Sequence, residues 1–261
     1  MFQKKAILIV SFGTSYKETK EKTLDKIEED ISKAYPDYKI YKAYTSKIII
    51  KKLKETYNIS IYTIKEALNK ILDDGIKDII IQPTHVINGV ENHKIISEIN
   101  SYKDNFNSIF IGSPLVNNSK DISTIIDILK KEFSFVKRDE AIIFMGHGTN
   151  YNSNKLYSNM NHIFKEKELN NFFMITMKDY SDINNIIKEL KAITPKKIYL
   201  TPFMVVAGNH AINDMSSDKD NSLKRLLEKE GFNVQCIIKG LGEYKSIRQL
   251  YIDHIKYSQR K

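Results

Sequence analysis

The chain has 261 residues, is 41% hydrophobic and 28% charged, and carries only 5 Pro and 10 Gly; this is the make-up of an ordinary globular protein and excludes disordered, fibrous and low-complexity classes. The formal net charge of +9 favours an acidic partner, but the Lys residues sit beside Glu and Asp, as in 17-KETKEKTLDKIEED-30, and read as solvated helix faces rather than a nucleic-acid stripe. A single cysteine, Cys236, excludes an internal disulfide and a Cys-rich metal site, and no run reaches the ~18 apolar residues of a membrane span.

The chain opens on 4-KKAILIVSFG-13. Its apolar core is short and no small-residue cleavage motif follows, so it reads as a first strand over 5–12 and the chain as cytoplasmic. A helix is predicted over 17–34, a strand over 38–43, and helices over 46–56 and 63–74. Then come a strand at 77–82, a helix at 92–102, a strand at 107–112 and a helix at 120–132. The pattern resumes with a strand at 140–145, a helix at 153–166, a strand at 171–176 and a helix at 181–192. It closes with a strand at 197–203, a helix at 220–230, a strand at 233–238 that would bury Cys236, and a helix at 244–257. The strand runs are β-branched and almost continuously apolar, which suits strands covered on both faces: a parallel sheet in an α/β fold. Gly75, in 73-DDG-75, and Gly231 each stop a helix before a strand.

An internal repeat carries most information. Residues 6-AILIVSFGTS-15 resemble 141-AIIFMGHGTN-150, and 82-QPTHVINGVE-91 can be laid on 201-TPFMVVAGNH-210. In the second alignment Pro83 meets Pro202, Gly89 meets Gly208 and Glu91 meets His210. Two matches in the same order predict a duplicated α/β domain: halves at 1–130 and 131–243, with 244–261 as a final helix packing back on the first half. Ligands of open α/β sheets bind beyond the carboxyl ends of strands, so the turns at 13–16, 83–91, 147–150 and 204–210 are expected to line one cleft between the halves.

Six histidines occur. His147 and His210 both stand at strand ends of the predicted second half. Two imidazoles on such turns can bind a divalent transition metal, and a neutral imidazole can accept a proton. A lone histidine is more often structural; the shared location of these two raises the functional reading. Glu91 is the candidate carboxylate of the first half, and otherwise an ordinary first-turn helix acid. His85 and His93 flank its loop and read as structural or peripheral. The turns holding Ser11, Gly13, Thr14 and Ser15, and Gly148 and Thr149, resemble anion-cradling strand–helix turns and would equally serve as caps. No full phosphate-loop, dinucleotide, nucleophile-elbow or nucleic-acid motif is present, which argues against ATP-dependent, hydrolase and nucleic-acid functions.

The combination of 9-IVSFGTSYKET-19, 43-AYTSKIIIKKL-53, 82-QPTHVINGVENHKI-95, 145-MGHGTN-150, 202-PFMVVAGNHAINDM-215 and 240-GLGEYKSIRQLYIDHI-255 resembles the anaerobic sirohydrochlorin cobaltochelatases of the CbiK type, over nearly the whole chain. The resemblance implies the class II chelatase architecture, two similar α/β domains around a tetrapyrrole. It implies ATP-independent insertion of Co²⁺ into sirohydrochlorin in anaerobic cobalamin synthesis, with no organic cofactor, no nucleic acid and no membrane, and self-association left open. By motif, His147 and His210 fall on the metal-binding and proton-accepting positions, Glu91 on a catalytic carboxylate position, and the Gly-Thr turns with Gly89 on substrate-binding ones. The acidic ring gives the basic net charge a use.

One departure bears on the metal site. Family members commonly carry a Glu in a turn that here reads 176-TMKDYS-181, with Lys178 in its place. A cation beside a divalent metal is repelled. Either Asp179 supplies the carboxylate after a one-residue shift, or Glu91 suffices while Lys178 binds a substrate carboxylate. Otherwise the chain binds a tetrapyrrole without metallating it. A chelatase for another metal or porphyrinoid, such as Fe²⁺, fits the same residues.

Overall fold

A computed structural model describes residues 4–148, 154–177 and 183–259, with the backbone alone for residues 154 and 155. The chain divides into two compact units, residues 1–117 with 242–261, and residues 118–241.

The first unit runs β1 (Lys5–Ser11), α1 (Lys17–Lys22), α2 (Leu24–Ala34), β2 (Tyr38–Tyr44), α3 (Lys47–Tyr57), α4 (Ile64–Asp73), β3 (Asp78–Pro83), α5 (Val90–Asn100) and β4 (Ser108–Ile111). Its sheet is parallel, in the order β2-β1-β3-β4. The central strand β1 is AILIV because both its faces are covered: Ala6, Ile7, Leu8, Ile9 and Val10 are all buried. One face packs on Leu68 and Ile71 of α4 and Ile95 and Ile99 of α5. The helix expected over 17–34 is two helices. Thr23, fully buried, breaks it with φ −121° and ψ −80°, and its hydroxyl donates to the Thr19 carbonyl at 2.6 Å.

The second unit runs α6 (Ser119–Glu132), β5 (Ala141–Gly146), α7 (Asn154–Glu166), β6 (Phe172–Thr176), α8 (Ile183–Ile193), β7 (Ile198–Phe203), a π-helical turn (Ala211–Met215), α9 (Leu223–Lys229) and β8 (Val234–Cys236). Its parallel sheet has the order β6-β5-β7-β8. Helix α6 belongs here, not to the 1–130 half drawn from sequence. Cys236 is half-buried rather than buried, at the short edge strand β8.

The last helix, α10 (Lys245–Ser258), packs with α2, β3 and β4 of the first unit. It buries Ile247, Tyr251 and Ile255 completely, each worth roughly 1.5–3 kcal/mol. The Tyr251 hydroxyl donates to the Thr84 carbonyl at 2.8 Å, and Arg248 Nε donates to Asp30 Oδ2 at 2.6 Å.

The two sheets share their register as well as their order. Val10 lies opposite Pro83 and Met145 opposite Pro202; Ser11 lies opposite Tyr44 and Gly146 opposite Thr176. Beyond the strands the match continues, for His93 N–H donates to the Gly89 carbonyl at 3.1 Å and Ile212 N–H to the Gly208 carbonyl at 3.1 Å. All of these but the Tyr44 and Thr176 positions are related by the offsets read from the sequence repeat. Within their own units, therefore, Phe12 corresponds to His147 and Glu91 to His210.

Candidate functional site

In the second unit, His147 follows the last residue of β5 and His210 precedes the π-helical turn that follows β7. Strand register brings the two together: their ring centroids are 4.8 Å apart, with the planes at 71°. Both imidazoles are oriented through Nδ1. His147 Nδ1 lies 3.0 Å from the Gly148 carbonyl, and His210 Nδ1 lies 2.7 Å from Asp214 Oδ2. A carbonyl and a carboxylate only accept, so Nδ1 carries a proton in each ring; in the neutral form of such a ring the lone pair is on Nε2.

The loop bearing His210 is held from behind. Leu241 N–H donates to the Met204 carbonyl at 2.7 Å, and a Cβ on Gly240 would sit 2.5 Å from the Val205 carbonyl oxygen, so that the chain can approach there only as glycine. Gly148 and Gly13 occupy equivalent turns with φ of +75° and +97°, a region that a side chain disfavours.

In the first unit, Gly13 lies on the ring of Tyr44. Ser11 and Thr14 are buried, with internal partners: the Thr84 hydroxyl donates to Ser11 Oγ at 2.9 Å, and Thr14 Oγ1 accepts the Tyr16 N–H at 3.2 Å. These bonds help to shape the turn. Ser15 is half-exposed. Gly89 is the N-cap of α5, with Glu91 in its first turn. Burial pushes the Glu91 carboxyl up. The Lys94 ammonium at 2.8 Å, the nearby Thr45 hydroxyl (which makes no hydrogen bond of ordinary geometry) and the His85 ring together outweigh that push. The net position is below the ordinary carboxylate range, so Glu91 is ionised at neutral pH. His85 lies behind it with both ring nitrogens shut off from solvent and without hydrogen-bond partners; burial lowers it to about 4, against a smaller opposing effect of Glu91. His93 is exposed.

Among the described residues no group of three or more His, Cys, Asp or Glu gathers around one point. Thr149, Lys178 and Asp179 lie outside the described residues. Asp214 and Gly240 were not singled out from sequence. The signal for Asp214 was its spacing, an acid four residues after a histidine.

The family model for cobalt chelatases (CbiK) matches residues 5–259. This chain belongs to the CbiK family. Among curated CbiK relatives, the sirohydrochlorin cobaltochelatase of Salmonella typhimurium is 33% identical over 252 residues, covering 97% of this chain and 95% of that one. The sirohydrochlorin cobaltochelatase CbiKC of Nitratidesulfovibrio vulgaris is 26% identical over 255 residues, covering 97% and 89%. The duplicated fold is shared with SirB from Bacillus subtilis, solved with Fe³⁺ (TM-score 0.65, 14% identity, 98% and 95% covered). It is shared also with CbiX, described as the terminal enzyme of siroheme biosynthesis in denitrifying bacteria (TM-score 0.54, 11% identity, 97% and 99% covered). The CbiK motifs quoted from the sequence thus sit on the two strand-end histidines of the second unit and on the α5 turn of the first.

Proposed function

We propose that this chain inserts Co²⁺ into sirohydrochlorin without ATP or an organic cofactor, acting in the cytoplasm. The observation that carries the reading is the His147–His210 pair. A divalent metal bound about 2.1 Å from two Nε2 atoms would set the ring centres roughly 4.6–5.3 Å apart for angles between 90° and 110°; the observed separation is 4.8 Å. Two imidazoles leave the remaining metal positions to water and then to pyrrole nitrogens, which suits an ion that must be passed on rather than kept.

The reaction exchanges one Co²⁺ for two pyrrole protons. As each ring nitrogen gives up its proton, its electron pair binds the metal, and the protons leave to bases. A histidine released from the metal has a lone pair on Nε2 to accept one. Glu91, ionised because Lys94 and its neighbours favour its charged form, is a base of the first unit. We assign the turns of Ser11, Gly13, Thr14 and Ser15, of Gly89, and of Gly148 and Thr149 to contacts with the acidic ring, with Lys178 a candidate partner for one of its carboxylates. Curated relatives named as sirohydrochlorin cobaltochelatases support the substrate and the metal.

One observation favours a second reading. Lys178 stands where a metal-binding Glu is expected, which would suit a protein that binds the tetrapyrrole and does not metallate it. Anaerobic absorbance with sirohydrochlorin and Co²⁺, run beside an enzyme-free control, Fe²⁺ and His147→Ala, separates the two. The chelatase reading expects accelerated formation of the metallated spectrum, and for His147→Ala ring binding without acceleration. A perturbed ligand spectrum with no acceleration by the parent protein would establish the carrier instead. Unchanged turnover in the variant would remove His147 from the mechanism.

A further inference from the structure

We infer that Asp214 is a positioning residue, which holds the His210 ring in its Nδ1–H form with Nε2 presented to the metal. The inference rests on the reading of His210 as a metal ligand.

In water a neutral histidine favours the proton on Nε2, the form that has no lone pair there. An acceptor at Nδ1 reverses that preference and fixes the ring plane. Asp214 is such an acceptor, at 2.7 Å. Its backbone is anchored: Ala211 and Met215, at the two ends of the π-helical turn, are fully buried, and Ser216 closes the turn with its N–H on the Ala211 carbonyl at 3.2 Å. Among the described residues no Lys or Arg pairs with Asp214, although most carboxylates in ion pairs of this basic chain are held by a Lys. The carboxylate is thus left to the imidazole.

An internal comparison shows that this is more than a helix-surface pair. His162 and Glu166 on α7 have the same four-residue spacing, at 3.1 Å. That contact uses Nε2, the side chains are 69% and 59% exposed against 41% and 40% for His210 and Asp214, and among the described residues no second imidazole stacks near His162. At His210 the acceptor takes Nδ1 and the ring faces His147.

The test uses the full chain with Co²⁺ calorimetry and, on metal-free protein labelled with ¹⁵N-histidine at pH 8, long-range ¹H–¹⁵N spectra that report which ring nitrogen bears the proton. The signal of His210 is assigned by its loss in His210→Ala. Asp214→Ala should move His210 toward the Nε2–H form and weaken Co²⁺ binding about 10- to 100-fold. Asp214→Asn, whose amide oxygen can still accept from Nδ1, should fall between and serves if the alanine variant folds poorly. Added to His210→Ala, Asp214→Ala should cost nothing further. A parental ring signature and Co²⁺ affinity within about twofold in Asp214→Ala would overturn the inference, as would an equal loss in the His210→Ala background. Should His210→Ala itself leave Co²⁺ affinity intact, the reading of His210 as a ligand fails and the inference with it. A damaging His210→Ala beside a silent Asp214→Ala sinks the role of Asp214 alone.

Discussion

Acidification should weaken this protein through one imidazole in particular. Neither ring nitrogen of His85 has contact with solvent or a partner, and burial lowers its folded value to about 4, against about 6.5 in an unfolded chain. The folded value is the depressed one, so well above pH 6.5, where the ring is neutral in both states, His85 contributes no pH dependence. Between pH 6.5 and 4 the unfolded chain takes up a proton that the folded chain refuses, and stability falls by up to about 1.4 kcal/mol per pH unit. Integrated from pH 7.5 to 4.5, the loss is about 2.5 kcal/mol. Part of the residue remains reachable by water, and Glu91 favours the charged ring, so this figure is an upper bound. Urea unfolding of the parent and of His85→Leu at pH 7.5, 6.0, 5.2 and 4.5 isolates it, because every other titrating group contributes to both. The parent should lose more stability than the variant, the difference growing as pH falls and levelling near pH 4. Parallel curves for the two proteins would refute the reasoning and mean that His85 can be protonated in the folded chain.

Two further outcomes are expected. Gly13→Ala must place a Cβ at φ +97°, within 2.4 Å of the Tyr44 ring; the strain and the clash together should cost roughly 2–4 kcal/mol, and an unchanged thermal midpoint would show that the turn can rearrange. Lys178 aligns with a family Glu; on that alignment Lys178→Glu replaces a charge that repels a divalent metal by one that attracts it and should tighten Co²⁺ binding about tenfold or more, and equal or weaker binding in calorimetry would mean that the alignment of this turn is wrong.

The sheets were legible because a strand buried on both faces leaves a short unbroken apolar run, as in 6-AILIV-10 and 141-AIIFM-145, and its β-branched residues and the glycine-bearing turn that follows separate it from a buried helix segment. The histidines of the second unit were legible through the repeat, which set them at or beyond strand ends. Thr23 was not. A β-branched polar residue inside a charged helical pattern carries no mark of a break, and its burial, which depends on tertiary packing, is what bends the chain. Nor was the turn at Ala211–Met215: five residues are too few to show a period, so the link between His210 and Asp214 had only its spacing to announce it. A hydroxyl in a Gly-Thr turn looks the same in sequence whatever it bonds to, so the internal partners of Ser11 and Thr14 became visible only in the fold.

Helix α10 sets an order on the life of the chain. The second unit is one uninterrupted stretch, residues 118–241, whereas the first is opened by residues 1–117 and completed only by residues 242–261. During synthesis the unit begun first is finished last. Until Ile247, Tyr251 and Ile255 emerge, the side of the first sheet that they cover stays bare, and the Thr84 carbonyl lacks its Tyr251 partner. The second unit has all its strands before then and can close first. A nascent chain that has released residues 118–241 but not 242–261 would therefore carry an unfinished apolar face on the first unit while the histidine pair of the second is already complete.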